Sequence, residues 1–321
     1  MRASRPIFIT GGAGFIGSYL VERLVRDGHR VALLARPTTD LANLTGVRHA
    51  IEIFNGDITD QKRIAELVTS LKPKGFFHLA VSTILAGKTA PDNEVIRTNV
   101  HGTVNLINAA GSVDYDFFIQ TGSYLEYGPK DHSVREDELC APGELYSISK
   151  LAGTLYGQAI ARSQNKPIVT FRVFTPYGPR SQKGRFVEVL VARALAGEDL
   201  KLSKPEVTRD FIYVEDLVDL LVEGMEKAKG LGGKIFNAGG GRAISFGDLV
   251  SLVLKQTNSK SGAHWNAFAG AAYDSDFCQA DMRKTHEAFL WRPKHTLAEG
   301  IEKTVEWCRS GIADNSHKNH A

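Results

Sequence analysis

The 321-residue chain predicts a doubly wound α/β fold built on a parallel sheet, and three observations carry that expectation. Short apolar or β-branched runs alternate with longer segments of helical periodicity through the first half. A glycine-rich turn, GGAGFIG, separates the first such run from the first helix. After about residue 175 the alternation gives way to a Pro/Gly/Arg-rich loop and to mixed, shorter elements.

Strands are predicted at residues 7–10, 31–34, 49–54, 75–79, 117–120 and 168–173, each with the length and apolar character of a buried parallel strand. Between them FIGSYLVERLVRDG, DQKRIAELVTSLKP and VIRTNVHGTVNLINAAG carry apolar residues at helical spacing. Strand and helix in strict alternation imply right-handed βαβ units and therefore a parallel sheet with helices on both faces. In the second half YGPRSQKGR reads as a loop, FVEVLVARALAGE as a helix, DFIYVEDLVDLLVEGMEKA as a strand entering a helix, and GKIFNAGGG as a strand and turn. This organisation assigns residues 1–175 with 208–240 to the sheet domain and 176–207 with 241–312 to a smaller mixed α/β region. Residues 313–321, polar and aperiodic, read as a frayed tail.

Composition sets the limits on function. With 43% hydrophobic and 23% charged residues the chain is that of a globular protein, and a net charge of +3 is too small and dispersed to suggest nucleic acid or an anionic membrane. No window approaches eighteen apolar residues and the start enters a strand at once, so a cytoplasmic protein is expected. Cys140, Cys278 and Cys308 lack CxxC or His-paired spacing, which predicts reduced thiols and no metal site.

Gly11, Gly14 and Gly17 fall in a GxxGxxG spacing directly between the first strand and its helix. That context supplies a tight turn, close backbone approach to a pyrophosphate, and a helix N-terminus whose free N–H groups favour anions. At the end of the second strand, in VALLARPTTD, Ala35 stands where a carboxylate would hold both adenosine ribose hydroxyls, and Arg36 follows it. A guanidinium there favours a 2′-phosphate, so NADP is the expected cofactor, with NAD possible; Thr38 and Thr39 add hydroxyls. Further on, ELYSISKLAG places Tyr146 and Lys150 four residues apart on a predicted helix, hence on one face. An ammonium beside a phenol lowers its pKa from about 10, which makes Tyr146 a candidate acid or base for an alcohol/carbonyl pair.

With the TGxxGFxG pattern, GDITD, HLA, TNVHGTVNL, the Tyr146/Lys150 pair and TRDFIYVEDLVD, the chain resembles the extended short-chain dehydrogenase/reductase family over nearly its whole length. The resemblance implies a Rossmann fold and a set of cofactor-binding positions: Gly11, Gly14, Phe15, Ile16 and Gly17 at the turn; Asp57, with Ile58, toward the adenine; Leu79 and Ala80 along the cofactor; and Asn99, Tyr146 and Lys150. His78 is expected to be a strand residue at the cleft and no catalyst. It further implies Ser123, four residues before Tyr127, as the hydroxyl that orients the reacting oxygen, with Thr121 as the nearby competitor. For the substrate it implies Ser82, Ser123, Arg185 and Arg209, the last meeting nucleotide phosphates or ribose, with Arg172 and Arg180 as neighbouring cations.

Two departures refine this. Relatives that eliminate water carry an acid pair directly after the Ser/Thr, where this chain has Tyr124 and Leu125; Glu126 would need a different backbone path to serve. Ala272 stands where sugar-nucleotide enzymes often have an arginine, which leaves room for a non-nucleotide ketone. Within the family the chain therefore resembles the nucleotide-sugar 4-ketoreductases, the group of CDP-abequose and CDP-paratose synthases and GDP-4-keto-6-deoxymannose reductase. The implied activity is NADPH-dependent reduction of a nucleotide-linked 4-keto-6-deoxyhexose by a homodimer. The alternatives are an NAD-dependent NDP-sugar 4-epimerase and a non-catalytic NADP-sensing protein.

Overall fold

The computed structural model describes residues 4–82, 91–268 and 275–318, the side chains of 311–318 excepted. In chain order the first elements are β1 (Ile7–Thr10), α1 (Phe15–Arg26), β2 (Val31–Ala35), β3 (Ile51–Asn55), α2 (Gln61–Leu71), β4 (Gly75–His78), α3 (Asp92–Ile96), α4 (Gly102–Ala110), β5 (Phe117–Ser123), α5 (Leu145–Gln164) and β6 (Ile168–Val173). There follow β7 (Thr175–Tyr177), α6 (Phe186–Ala196), β8 (Leu200–Lys201), β9 (Thr208–Tyr213), α7 (Val214–Lys227), β10 (Ile235–Ala238), β11 (Ala243–Ser245), α8 (Phe246–Thr257), β12 (Ala263–His264), α9 (Arg283–Ala288) and α10 (Leu297–Lys318).

Seven strands form one parallel sheet in the order β10-β6-β5-β4-β1-β2-β3, as the alternating pattern predicts. All six strands expected in the first half lie in it, and the seventh comes from GKIFNAGGG. The pleat sorts each strand between two faces. Ile7 and Ile9, Val31 and Leu33, and Phe117 and Ile119 join the core that contains α1 and α7. Phe8, Ala32, Leu34 and Phe118 face the core that contains α2 and α4. The chain crosses over between β1 and β4, so the carboxyl ends of these central strands open a crevice at a topological switch point.

Two boundaries differ from expectation with consequences for the site. β3 begins at Ile51 because residues 42–50 wind into 3-10 turns, and β5 runs on to Ser123, held in register by β6 with Ser123 opposite Val173.

The C-terminal elements build a second core. A three-stranded sheet, β11-β9-β7, and a two-stranded one, β12-β8, pack with α6, α8 and α10 around Leu190, Val191, Val253, Ile301 and Val305. β9 pairs on one side with β11 and on the other with β7, so its ladder is used up in this smaller sheet. The 208–240 segment is thus split: β9 sits with the smaller sheet, while β10 joins the large one. α10 also continues to Lys318, past residue 312, where a frayed tail is expected. Ile301, Thr304 and Val305 anchor it, and a nucleated helix adds residues at little cost.

Candidate active site

The glycine turn is where sequence fixes geometry most tightly. Gly11 has φ +74°, and a Cβ there would lie 2.5 Å from the Ala80 nitrogen; at Gly17 it would lie 2.1 Å from the Gly11 carbonyl oxygen. β1, β4 and α1 therefore meet with no room for side chains, and no side chain caps the start of α1 at Gly14. From this turn a cleft of about 1040 Å³ runs along the strand ends. Its walls bring together Gly11, Gly14, Phe15, Ile16 and Gly17 with Asp57, Ile58, Leu79 and Ala80.

Ala35, at the end of β2, is buried, and Arg36 is the first exposed residue beyond it. Arg36, Thr38, Thr39 and Asp40 form the rim of the cleft beside Asp57, whose Oδ1 accepts the Thr59 N–H at 2.8 Å and so shapes a turn as well as a wall.

Ser123, Tyr146 and Lys150 converge in the middle of the same cleft. Ser123 comes from the last position of β5; its Oγ accepts the Leu125 N–H at 3.3 Å, which turns the chain into the 3-10 helix Tyr124–Tyr127. Tyr146 and Lys150 project from the first turns of α5, capped by the Glu144 carboxylate, which takes the Tyr146 and Ser147 N–H groups at 2.6 Å each. A hydrogen bond joins the Ser123 and Tyr146 side chains.

The protonation of this pair departs from the simple expectation. Burial raises the Tyr146 pKa; Arg185 and the Ser123 bond pull it down, and Glu126 and Glu144 push it up. Lys150 is weakened by its own burial, which brings it down to about 8 with Glu126 opposing, and for Tyr146 burial is the largest influence. Tyr146 is held as a protonated phenol, the form that gives a proton away.

Asn99 stands behind the wall. In the π-helical turn Arg97–His101 it is buried, with Oδ1 accepting the Ser82 N–H at 2.8 Å and Nδ2 donating to Ser82 O and Ser149 Oγ at 2.9 Å each. It braces Ser82, which does line the cleft. His78 is likewise out of the cleft wall: Thr103 Oγ1 donates to Asn99 O at 2.6 Å, so His78 Nε2 must donate to Thr103 and Nδ1 must accept from Thr10, both at 2.8 Å. Burial, then Lys150, lowers the imidazole to about 3, so it is a neutral strut.

At the far end Arg185 and Arg209 line the cleft as the resemblance implies. Arg209 donates to the Thr208 and Ser275 carbonyls and packs 5.5 Å from the Phe246 ring, which lies 4.4 Å from Phe186. Arg172 and Arg180 are a correction. Arg172 is 2% exposed and paired with Glu126 at 2.8 Å; Arg180 forks onto Glu22 and stacks on Tyr19 at 3.8 Å, and neither lines the cleft. A charge inside the apolar strand IVTFRV signals a buried partner. The aromatic wall of Tyr124 stacked on Phe174 at 5.6 Å, with Phe186 and Phe246, escaped sequence reasoning because apolar residues in such segments read equally as core. Ala272 lies outside the described residues.

No helix of the described residues is long and apolar enough to cross a membrane, and among them no group of three or more His, Cys, Asp or Glu could hold a metal ion. The cradle without Cβ atoms, the free helix start and a cleft leading from it to Ser123, Tyr146 and Lys150 fit a dinucleotide. Fold and site together define an enzyme of the oxidoreductase type that works through a nicotinamide cofactor.

The chain belongs to the NAD dependent epimerase/dehydratase family, whose model matches residues 7–239. It is 31% identical over 312 residues to a UDP-glucose 4-epimerase of Mycolicibacterium smegmatis, covering 94% of this chain and 98% of the relative. It is 28% identical over 315 residues to a dTDP-glucose 4,6-dehydratase of Streptomyces griseus, covering 94% and 93%. The crystal structure of a UDP-glucose 4-epimerase from Thermotoga maritima with UDP-glucose matches with a TM-score of 0.86 at 26% identity, over 96% of this chain and 99% of that one.

Proposed function

We propose that the protein reduces a nucleotide-linked 4-keto-6-deoxyhexose to the 4-hydroxy sugar with NADPH. The observation that carries the reading is the pairing of an intact Ser123–Tyr146–Lys150 set with Tyr124 and Leu125 where elimination would require acids. Glu126, the nearest carboxylate in the chain, is fully buried against Arg172 and does not line the cleft.

When bound, the reduced nicotinamide supplies the hydride. Tyr146, held protonated by burial, donates its proton to the ketone oxygen, and Ser123 orients that oxygen. Lys150 holds the ribose and shares its charge with the oxygen end of the site. Arg36 at the rim meets the 2′-phosphate, with Thr38 and Thr39 beside it. Arg185 and Arg209 take the substrate diphosphate, and the Phe186 and Phe246 rings flank the nucleotide. The second partner is another copy of this chain: Ile148 and Leu155, 48% and 52% exposed, share one face of α5.

Following NADPH absorbance against CDP-, GDP-, dTDP- and UDP-linked 4-keto-6-deoxyhexoses tests the reading; consumption with one of them is expected. A second reading, an NAD-dependent NDP-sugar 4-epimerase, is favoured by the similarity to UDP-glucose 4-epimerases. It predicts NAD that stays with the purified protein and no net consumption of NADPH.

A further inference from the structure

Beneath Ser123 lies an ion pair that the reaction as described does not use. Glu126 is fully buried and Arg172 nearly so, with Arg172 Nε donating to Glu126 Oε2 at 2.8 Å. The other carboxylate oxygen, Oε1, accepts the Ser123 N–H at 2.9 Å and the Thr154 hydroxyl at 3.0 Å. Ser123 and Glu126 are thus the two ends of a capping box, so the carboxylate fixes the backbone that carries the catalytic hydroxyl.

The chain keeps space for this carboxylate. A Cβ on Gly122 would come within 2.5 Å of Glu126 Oε1 and 3.2 Å of both Thr154 Oγ1 and Arg172 Cγ. The guanidinium is held in turn by the Glu136 carbonyl, by Cys140 Sγ and by the Tyr127 ring 4.3 Å away. Burying two charges is costly, and such a pair is weak as a device for stability, so its position directly under the reacting groups calls for another account.

We propose that Glu126 is a positioning residue of the reaction: from beneath the cleft its carboxylate fixes Ser123, and its negative charge acts on Lys150 and Tyr146. The inference rests on the proposed roles of those three residues. The groups that face them bear out which charge matters. Lys150 feels Glu126 as its charged neighbour and faces the neutral His78 of β4. Tyr146 faces Arg185 at the start of α6, Ser123, Glu126 and Glu144. From the α3–α4 side, Asn99 reaches α5 at Ser149 and Thr103 lies against Gly153, both uncharged.

The sign follows. Glu126 raises both Lys150 and Tyr146, so removing its charge lowers both, and Lys150 gives up its proton at lower pH. Two variants separate charge from reach. In Glu126→Gln the pH at which NADPH binding weakens on the alkaline side, followed by nicotinamide fluorescence, should move down by about one unit. In Glu126→Asp the charge stays but the carboxylate withdraws from Ser123. Its binding profile should match that of the unaltered protein, while kcat for ketone reduction falls about tenfold or more with KM little changed. If Glu126→Gln does not fold because Arg172 is left alone, Glu126→Gln/Arg172→Gln removes both charges. The same downward shift is expected there, since Glu126 is the charge acting on Lys150.

An unshifted binding profile in the folded neutral variant overturns the electrostatic role, and an unchanged kcat in Glu126→Asp overturns the positioning role. If instead Tyr146→Phe turns over normally, the catalytic reading itself fails. The binding titration needs no sugar substrate, so the two failures are told apart.

Discussion

Replacing Gly17 by Ala should injure cofactor binding as well as stability. The new Cβ would stand 2.1 Å from the Gly11 carbonyl oxygen and 2.6 Å from Gly12 Cα, against an ordinary contact of 3.4 Å or more. All of its close neighbours are backbone, so no side chain can swing aside, and the turn has to part from α1 by about an ångström. Overpacking of this kind costs about 1–3 kcal/mol, a fall of a few degrees in Tm for a chain of this length. The same displacement pulls the helix N–H groups off the pyrophosphate, and losing one charge-assisted hydrogen bond weakens binding roughly 10- to 100-fold. Fluorescence titration with NADPH and a thermal melt measure the two effects. Gly46→Ala, where an added Cβ meets nothing within 4 Å, serves as the control and should change neither. A Gly17→Ala protein that melts with the unaltered one and binds NADPH within about twofold would refute the close-approach argument.

Arg36→Asp removes the cation proposed to meet a 2′-phosphate and restores a carboxylate near the ribose. The ratio of kcat/KM for NADPH over NADH should fall roughly 100-fold or more, and an unchanged ratio would mean that Arg36 is only a surface residue. Because burial brings Lys150 to about 8, the charge it offers the cofactor is complete well below that pH and fades as pH rises through it. The pH profile of kcat/KM should therefore show an alkaline fall near that value, and Lys150→Arg should carry the plateau to higher pH. Phe171, fully buried with its ring 5.9 Å from Phe236 and 5.7 Å from Phe289, ties β6 to β10 and to the residue that follows α9. Phe171→Ala should cost about 3–5 kcal/mol, read as a lowered denaturation midpoint.

The large sheet was legible because most of its strands are buried on both sides and appear as largely apolar runs between turns, with the edge strand β3 half-buried. β7 and β11, three residues each, and the two-residue β8 and β12 carry no period long enough to read, and β9 shows no mark of which sheet it joins. At the site the same contrast holds. Gly11 and Gly17 were readable because their spacing is itself the geometry. Of the arginines, Arg209 was legible from its segment, whereas only packing reveals that Arg172 and Arg180 are consumed by Glu126 and Glu22. The direction of the Tyr146 shift is not legible in the sequence for a related reason: spacing puts Lys150 on the same face, but burial, which spacing does not report, outweighs any help the lysine gives.

The central claim is that Tyr146 gives a proton to a ketone while NADPH is consumed. Its most direct test is single-turnover oxidation of NADPH with a nucleotide-linked 4-keto-6-deoxyhexose, comparing the unaltered protein with Tyr146→Phe. The account predicts stoichiometric oxidation by the unaltered protein. In the variant the rate should fall roughly 100- to 10,000-fold, with NADPH affinity nearly unchanged. Retained turnover in Tyr146→Phe would contradict it, as would an unaltered protein that consumes no NADPH yet interconverts 4-hydroxy sugars on tightly held NAD.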